Sequence, residues 1–573
     1  MDKISKKIKV ILKIKKILET KNLDGYIIPK NDVFFSEYSN PDRLKLITKF
    51  SGSAGLAVIT RKKNLIFVDG RYIIQAENEC GKKFDIFEIP FQNPKKILGQ
   101  YKKGLYLGYD PDLFTSKNLI NNFGYKHTFV PLKNIFEKYY QNKNNRNTKR
   151  FYSLDEIIVG ESVNSKLKRL IKILNKIKID NIFISAPENV AWLLNIRGFD
   201  NPNSPIPNCR IILTKKKEVF FFSDLNKIKK IKKNPIYKKF SFFDFSNFAK
   251  IISILKGKSF CIDENTCSIF NESIIKSKFV IRSRKDPCYF LKSIKNKREL
   301  QNIKLAHIKD GVALTKFIYL FKNKKTKWTE LKAVKILENL RKKNNNYLYP
   351  SFNTIAGSGP NSAIIHYKSN PSTNRIIKKK DIFLLDSGGQ YKYGTTDVTR
   401  TLCQKKPKKF IRNIYTRVLK GHISVVKSNL NKIKTGNEID NNARKWLKQI
   451  KLDYAHGTGH GVGFFLNVHE GPQGLSKFNE VKLNEGMVVS NEPGYYRKNK
   501  FGIRIENMIY IDKEKNNLKF KNLTYVPIDK DLIDYTILNK SEKEYLFEYH
   551  LEVYNLLSQY LNKKEKNWLV KLI

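Results

Sequence analysis

Four acidic residues and a handful of histidines stand where their surroundings demand chemistry. In DIFLLDSGGQYKYGTTDVTRTLC (381–403), Asp386 closes an apolar run and Asp397 follows a Gly- and Tyr-rich turn. A hairpin bent at Tyr391–Lys392 sets the two aspartates opposite each other, about 5 Å apart, where like charges repel. Something positive must compensate, or one carboxyl must stay protonated. Glu492 ends the apolar strand MVVSNEPGYY before a Pro-Gly turn. Glu506 lies in GIRIENMIYI, where period-2 alternation puts Arg504 and Glu506 on one face and Ile503 and Ile505 on the other. Strands this apolar are buried, and buried carboxylates need partners.

The stretch DYAHGTGHGVGFFLNVHEG (453–471) holds three of the chain's eight histidines and no Lys or Arg, although Lys and Arg total 110 of 573 residues. His456 and His460 have the i, i+4 spacing of a helical zinc motif. Gly457, Gly459, Gly461 and Gly463 would cost a helix about 1 kcal/mol each, so the segment is read as extended. Residues 456, 458 and 460 then share a face, and the glycines let the backbone approach something closely. His469 follows in NVHEG. Four carboxylates and one imidazole make an oxygen-rich site whose −4 charge balances two divalent cations. Such donors favour Mn²⁺ first, with Co²⁺ or Zn²⁺ as competitors. Two ions about 3.5–4 Å apart can hold a bridging hydroxide, a nucleophile at neutral pH. The missing Lys and Arg fit this reading, because an ammonium would compete with the metals.

These residues require elements to position them. A third, larger unit beginning near Lys292 opens with helices at about 297–322 and 329–344. Thr329 caps the second, and Leu331, Val334, Ile336, Leu337 and Leu340 supply its apolar stripe. Strand-rich stretches follow at 351–367 and 382–403, then helices at 408–430 and 437–450, then strands from 453 to 527. This order reads as α+β, one mixed sheet covered by helices. An amphipathic helix after about 530 closes it. The first half looks duplicated: LAVITRKKNLIFVD (56–69) and RIILTKKKEVFFFSD (210–224) share one strand–turn–strand layout. GYIIPKNDVFFSEYSN (25–40) and NIFISAPENVAWLLNIRG (181–198) match upstream of each. Two related α/β domains, 1–148 and 149–290, therefore precede a catalytic domain at 291–573, with QNKNNRNTKR (141–150) as the linker.

Composition bounds the function. Hydrophobic content of 41% with 12% aromatics is that of a globular chain. No apolar run approaches the ~20 residues a membrane helix requires, so no membrane partner is expected. The basic amphipathic N-terminus carries Asp2 and Glu19 and runs into a strand-like YIIP, so it reads as the first helix of the fold rather than a transit peptide. The net charge of +58 is spread along nearly the whole chain. A nucleic-acid binder concentrates its cations in a patch, so no specific nucleic-acid partner is expected. Six cysteines without metal-type spacing suit a reducing compartment, the cytoplasm.

The motifs TIAGSGPNSAIIHY, LLDSGGQYKYGTTDVTRT, HGTGHGVGFFLNVHEGP, NEPGYY and GIRIEN resemble the pita-bread metallopeptidases, and within them aminopeptidase P. YIIPKNDVFFSEY, FSGSAGLAVIT, VDGRYIIQA and LGYDPDLF are similar to its long three-domain form. The resemblance implies that Asp386, Asp397, His460, Glu492 and Glu506 are the metal ligands, with Asp397 and Glu506 bridging. It implies that Glu492 shuttles a proton and that His366, His456 and His469 steady the scissile carbonyl and the tetrahedral intermediate. Arg504 would orient the bridging glutamate. The implied reaction removes the first residue from peptides with proline second, whose tertiary amide lacks an N–H and carries a bulky ring. A homodimer is also implied. A prolidase shares all five ligands but cleaves Xaa-Pro dipeptides, and a methionine aminopeptidase needs neither preceding domain. The reading from another class is a basic nucleic-acid-binding protein on an inactive scaffold; the complete ligand set and dispersed lysines oppose it.

Overall fold

The computed structural model describes residues 2–36, 38, 41–133, 135 and 148–573. The expected linker therefore lies, through residue 147, outside the described residues. The chain divides into two compact units, one holding most of residues 1–288 and the other mainly 289–573.

The first unit begins with α1 (Asp2–Thr20), whose Val10, Ile14 and Leu18 recur every four residues and are buried. Strands β1 (Gly25–Pro29), β2 (Leu56–Thr60), β3 (Asn64–Asp69), β4 (Asp85–Ile89), β5 (Tyr106–Tyr109) and β6 (Thr128–Pro131) form one sheet in the order β4-β3-β2-β1-β5-β6. After α2 (Val163–Lys176) come β7 (Asn181–Ile184), β8 (Cys209–Thr214), β9 (Val219–Ser223), β10 (Ser241–Phe243), β11 (Ser259–Ile262) and β12 (Val280–Ser283), ordered β10-β9-β8-β7-β11-β12. The sheets repeat one topology. β1 runs antiparallel to β2 (Ile27 opposite Val58) and parallel to β5. β7 runs antiparallel to β8 (Phe183 opposite Ile212) and parallel to β11. The duplication read from the strand–turn–strand patterns extends to the hydrogen-bonding scheme.

The second unit opens with α3 (Lys297–Asn323), started by an Asn296–Glu299 capping box, and α4 (Glu330–Lys342), capped by Thr329 as expected. The buried stripe of α4 is Glu330, Ala333, Leu337 and Arg341. Of the apolar stripe expected there, only Leu337 is fully buried, because two charged residues take core positions beside it. Then follow β13 (Tyr347–Pro350), β14 (Ile355–Ser358), β15 (Ile382–Ser387), β16 (Gly389–Tyr391), β17 (Gly394–Thr395) and β18 (Val398–Cys403). Helices α5 (Lys409–Val426) and α6 (Gly436–Lys448) precede β19 (Gly459–Gly461), β20 (Glu470–Leu475), β21 (Val488–Asn491), β22 (Gly494–Arg497), β23 (Phe501–Arg504), β24 (Asn507–Glu514) and β25 (Asn517–Asn522). Helices α7 (Lys540–Leu557) and α8 (Lys563–Val570) complete the unit.

The strands do not make the single mixed sheet expected. They form two three-stranded sheets, a five-stranded sheet ordered β20-β19-β21-β24-β25 and a two-stranded ribbon, and every described strand pair here is antiparallel. The breaks fall at Gly388 and at Ile505–Glu506. Residues 359–363, expected as strand, form a 3-10 turn. Alternation sets the faces. Phe383 and Leu385 pack with α3 and α4, whereas Ile503 and Ile505 pack with α5 and α7, so Asp386 and Arg504 point the other way.

Candidate metal centre

Asp386 and Asp397 are not directly opposed. The turn falls at Lys392–Tyr393, with Tyr391 opposite Gly394 and Tyr393 in the left-handed region at φ 72°. That one-residue displacement from the expected bend moves the pairing by two, so Asp386 faces Thr399. The aspartates remain on one face as diagonal neighbours, a wider spacing than direct opposition.

His460 sits in the extended segment β19, as expected from its glycines. Close approach is literal there: a Cβ on Gly459 would lie 1.9 Å from the Ser490 carbonyl oxygen. His460 Nε2 lies 3.5 Å from Asp397 Oδ2 and 3.4 Å from Glu492 Oε1. Its backbone N–H donates to Ser490 Oγ (2.9 Å), which donates in turn to Glu492 Oε1 (3.2 Å). Nδ1 pairs with the Gly461 carbonyl at 3.0 Å, which leaves Nε2 to face the acids. Glu506 leaves the β23 ladder; its N–H donates to Thr399 O and its Oε2 accepts from Thr399 Oγ1 at 2.7 Å. Asp397, His460 and Glu506 each offer a ligand atom within 4.8 Å of the others.

Arg504 is the hub beneath these acids. It donates to Asp386 Oδ2 (2.6 Å), Thr399 Oγ1 (3.1 Å), Tyr496 Oη (2.5 Å) and the Ile365 carbonyl (3.4 Å). It therefore bonds Asp386 directly and reaches Glu506, the glutamate it is expected to orient, through Thr399. Tyr496 continues the chain to His456 Nε2 at 2.9 Å, while His456 Nδ1 donates to the Gly457 carbonyl at 2.8 Å. Both ring nitrogens of His456 are thus bonded within the protein. The His469 ring stands 4.2 Å from that of His460, and half-buried His366 follows Ile365 in the loop that Arg504 holds. Tyr496, Thr399 and Ser490 were not anticipated from the sequence. Tyr496 carried one signal: it shares the period-2 face of Glu492 and Gly494 in NEPGYY.

The lysine- and arginine-free segment does not clear the region of cations. Arg444 donates to the His456 carbonyl, and Lys292 and Lys295 bond the buried carboxylate of Glu470. These cations lie against other partners, leaving the acidic face to Arg504.

One arginine does not balance this face. Burial pushes the Asp386 carboxyl up to about 7 despite Arg504, with Asp397 adding to the rise. Burial, then Asp397, Glu492 and Asp386, pushes Glu506 well up, and burial also raises Glu492. Burial opposes charge on His460, but Asp397 and Glu492 lift it to about 9. Asp386 Oδ1 and Glu506 Oε1 are buried without a hydrogen-bond partner. Oxygen donors with unmet demand, one outward imidazole nitrogen and excess negative charge fit divalent cations. Glu492 and His460 keep 17% and 22% of their side chains exposed, against 6% for Asp397, so solvent and ligands approach from their side. A second acidic group, Cys403, Asp529 and Asp531, is already served by Lys322, 2.6 Å from Asp529 and 3.0 Å from Asp531.

Residues 301–513 match Metallopeptidase family M24, and 516–572 its C-terminal region. Residues 11–139 and 142–299 each match the Creatinase/Prolidase N-terminal domain. A probable Xaa-Pro aminopeptidase P of Laccaria bicolor is 34% identical, covering 96% of this chain and 90% of its own. The chain belongs to metallopeptidase family M24. Among its M24 relatives, Xaa-Pro aminopeptidase 1 of Dictyostelium discoideum is 34% identical over 99% of this chain and 96% of its own. The X-prolyl aminopeptidase of Caenorhabditis elegans, a solved structure described as a cytosolic enzyme with a di-nuclear active site, superposes with a TM-score of 0.91. It is 28% identical, over 100% of this chain and 99% of that one. The tandem N-terminal matches agree with the two repeated sheets.

Proposed function

We propose that this chain is a dinuclear metalloaminopeptidase that releases the first residue from peptides whose second residue is proline. The observation that carries it is the convergence of Asp386, Asp397, Glu492, Glu506 and His460 on one face, within a chain matched end to end by Xaa-Pro aminopeptidases. Asp386, Asp397, His460, Glu492 and Glu506 would hold two divalent cations, Asp397 and Glu506 serving both, Asp386 one, and His460 with Glu492 the other. The oxygen-rich set favours Mn²⁺, with Co²⁺ and Zn²⁺ as competitors. When bound, such ions polarise the scissile carbonyl and make water acidic enough to attack at neutral pH.

The chain's own residues do the rest. Glu492, mostly buried and raised by that burial, takes the proton of the attacking water and delivers it to the departing proline nitrogen, which has no proton of its own. His366 and His469 lie toward the substrate and donate to the oxygen that gains charge. His456, bonded on both nitrogens, contributes through Tyr496 and Arg504. The domains divide at 1–148, 149–290 and 291–573, in keeping with the repeated sheets and tandem family matches. The chain pairs as a homodimer in the cytoplasm; a cytosolic relative and six buried cysteines outside any disulfide support that compartment, and light scattering reads the pairing. Among the described residues no helix is long and apolar enough to cross a membrane.

Prolidase activity is the competing use of this site. The prolidase of Pyrococcus furiosus, 28% identical with a TM-score of 0.50, covers only 62% of this chain, which leaves more than a third of the molecule without a counterpart. Cleavage of an Xaa-Pro-Yaa tripeptide and an Xaa-Pro dipeptide across a panel of divalent ions tests the proposal. It expects the tripeptide to be the far better substrate, with Mn²⁺ most effective. Preference for the dipeptide overturns it.

A further inference from the structure

Behind the aspartate hairpin lies an ion pair that touches none of the five candidate ligands. Asp310 on α3 and Arg341 on α4 are 2% and 1% exposed. Arg341 grips Asp310 with two bonds, Nε to Oδ1 at 2.7 Å and Nη2 to Oδ2 at 3.1 Å, and also donates to Ser387 Oγ at 3.1 Å. Asp310 accepts further bonds from Tyr391 Oη and Thr396 Oγ1, both at 2.8 Å. Ser387 directly follows Asp386, Thr396 directly precedes Asp397, and Tyr391 starts the turn between them. Thr396 Oγ1 also accepts from the Gly389 N–H at 2.9 Å, closing the hairpin across its break. The strands approach so tightly that a Cβ on Gly388 would lie 2.0 Å from the Thr396 carbonyl oxygen.

The pair is neutral overall, so unlike Arg504 it adds little field at the acids; what it supplies is position. A slip of the hairpin by one residue would turn side chains to the opposite face, and the uncommon left-handed Tyr393 leaves the turn a weak guardian of register. We propose that Asp310 and Arg341 are positioning residues, a buried register clamp that fixes the diagonal spacing of Asp386 and Asp397 for two divalent cations. This rests on the dinuclear reading given above.

The test is calorimetric titration of Mn²⁺ into the folded full chain, with a thermal melt of each variant. Thr396→Val deletes one hydroxyl at nearly constant volume, Thr396→Ser retains it, and Arg341→Lys keeps the charge but loses the fork. Glu542→Gln neutralises a buried partner of Lys420 elsewhere in the same unit and serves as the stability control. Thr396→Val and Arg341→Lys are expected to weaken at least one binding step by about 10- to 100-fold. Thr396→Ser is expected within about threefold of wild type, and Glu542→Gln to lower the melting temperature while leaving affinity unmoved. Affinities for Thr396→Val and Arg341→Lys within threefold of a normally binding wild type, or a matching loss in Glu542→Gln, sink the clamp alone. A wild type that takes up no divalent ion sinks the metal reading and the clamp with it.

Discussion

Tyr496 joins His456 to Arg504 through one hydroxyl, and Arg504 holds Asp386 from the other side. Replacing Tyr496 with Phe removes that link while keeping the ring in place. Activity on an Xaa-Pro-Yaa peptide should fall about 10- to 100-fold, the usual cost of losing a group that orients a metal ligand, with little change in melting temperature. An unchanged kcat/KM would show that His456 and Arg504 act independently. Asp397→Ala is the harsher test: it should abolish both activity and uptake of the second metal ion, read by metal analysis of the purified protein. The acids themselves were legible in the sequence because each interrupts or ends an apolar strand, where an ionised group has no cheap explanation. Tyr496, Thr399 and Ser490 were not, because a hydroxyl on a strand is ordinary until its partner is known.

At the scale of elements, the glycines of the histidine segment were readable in kind and the aspartate hairpin was not readable in register. Four glycines within seven residues excluded a helix, and the segment is extended as their flexibility suggested. Gly459→Ala forces a Cβ onto the Ser490 carbonyl, 1.9 Å away, and that contact is backbone, which cannot rotate aside. The variant should lose about 1–3 kcal/mol by urea unfolding, and because β19 carries His460, metal affinity should fall with it. Full retention of both would mean that β19 can shift without consequence for the site. The expected bend is the midpoint between the two aspartates, whereas the turn sits one residue later with Tyr393 at positive φ, a conformation few non-glycine residues adopt, so the pairing moves by two. Helix α4 shows a related limit: Glu330 and Arg341 lie on its buried stripe, and apolar periodicity alone assigns such positions to solvent.

For the whole molecule, the duplicated N-terminal half was legible because two strands around a lysine-rich turn recur with little change. The division of the catalytic half into several antiparallel sheets was not, since it depends on where the chain breaks near Gly388 and Glu506. The charge of +58 likewise says little about acid stability, which is set by buried groups. His550 on α7 is 2% exposed and its Nε2 accepts from the Ile528 N–H at 3.1 Å. Burial, reinforced by Lys530 and Arg400, pushes its pKa down to about 4, against about 6.5 in an unfolded chain. The folded state therefore holds His550 neutral where the unfolded state would protonate it. Its contribution is complete above pH about 6.5 and is lost as pH falls toward 4, amounting to about 2 kcal/mol at pH 5. His550→Gln keeps an acceptor for Ile528 but cannot titrate. Urea unfolding at pH 7.5 and pH 5 should show a smaller acid loss in this variant, by about 2 kcal/mol. Equal losses in both proteins would place the acid sensitivity elsewhere, because no other change separates the two chains.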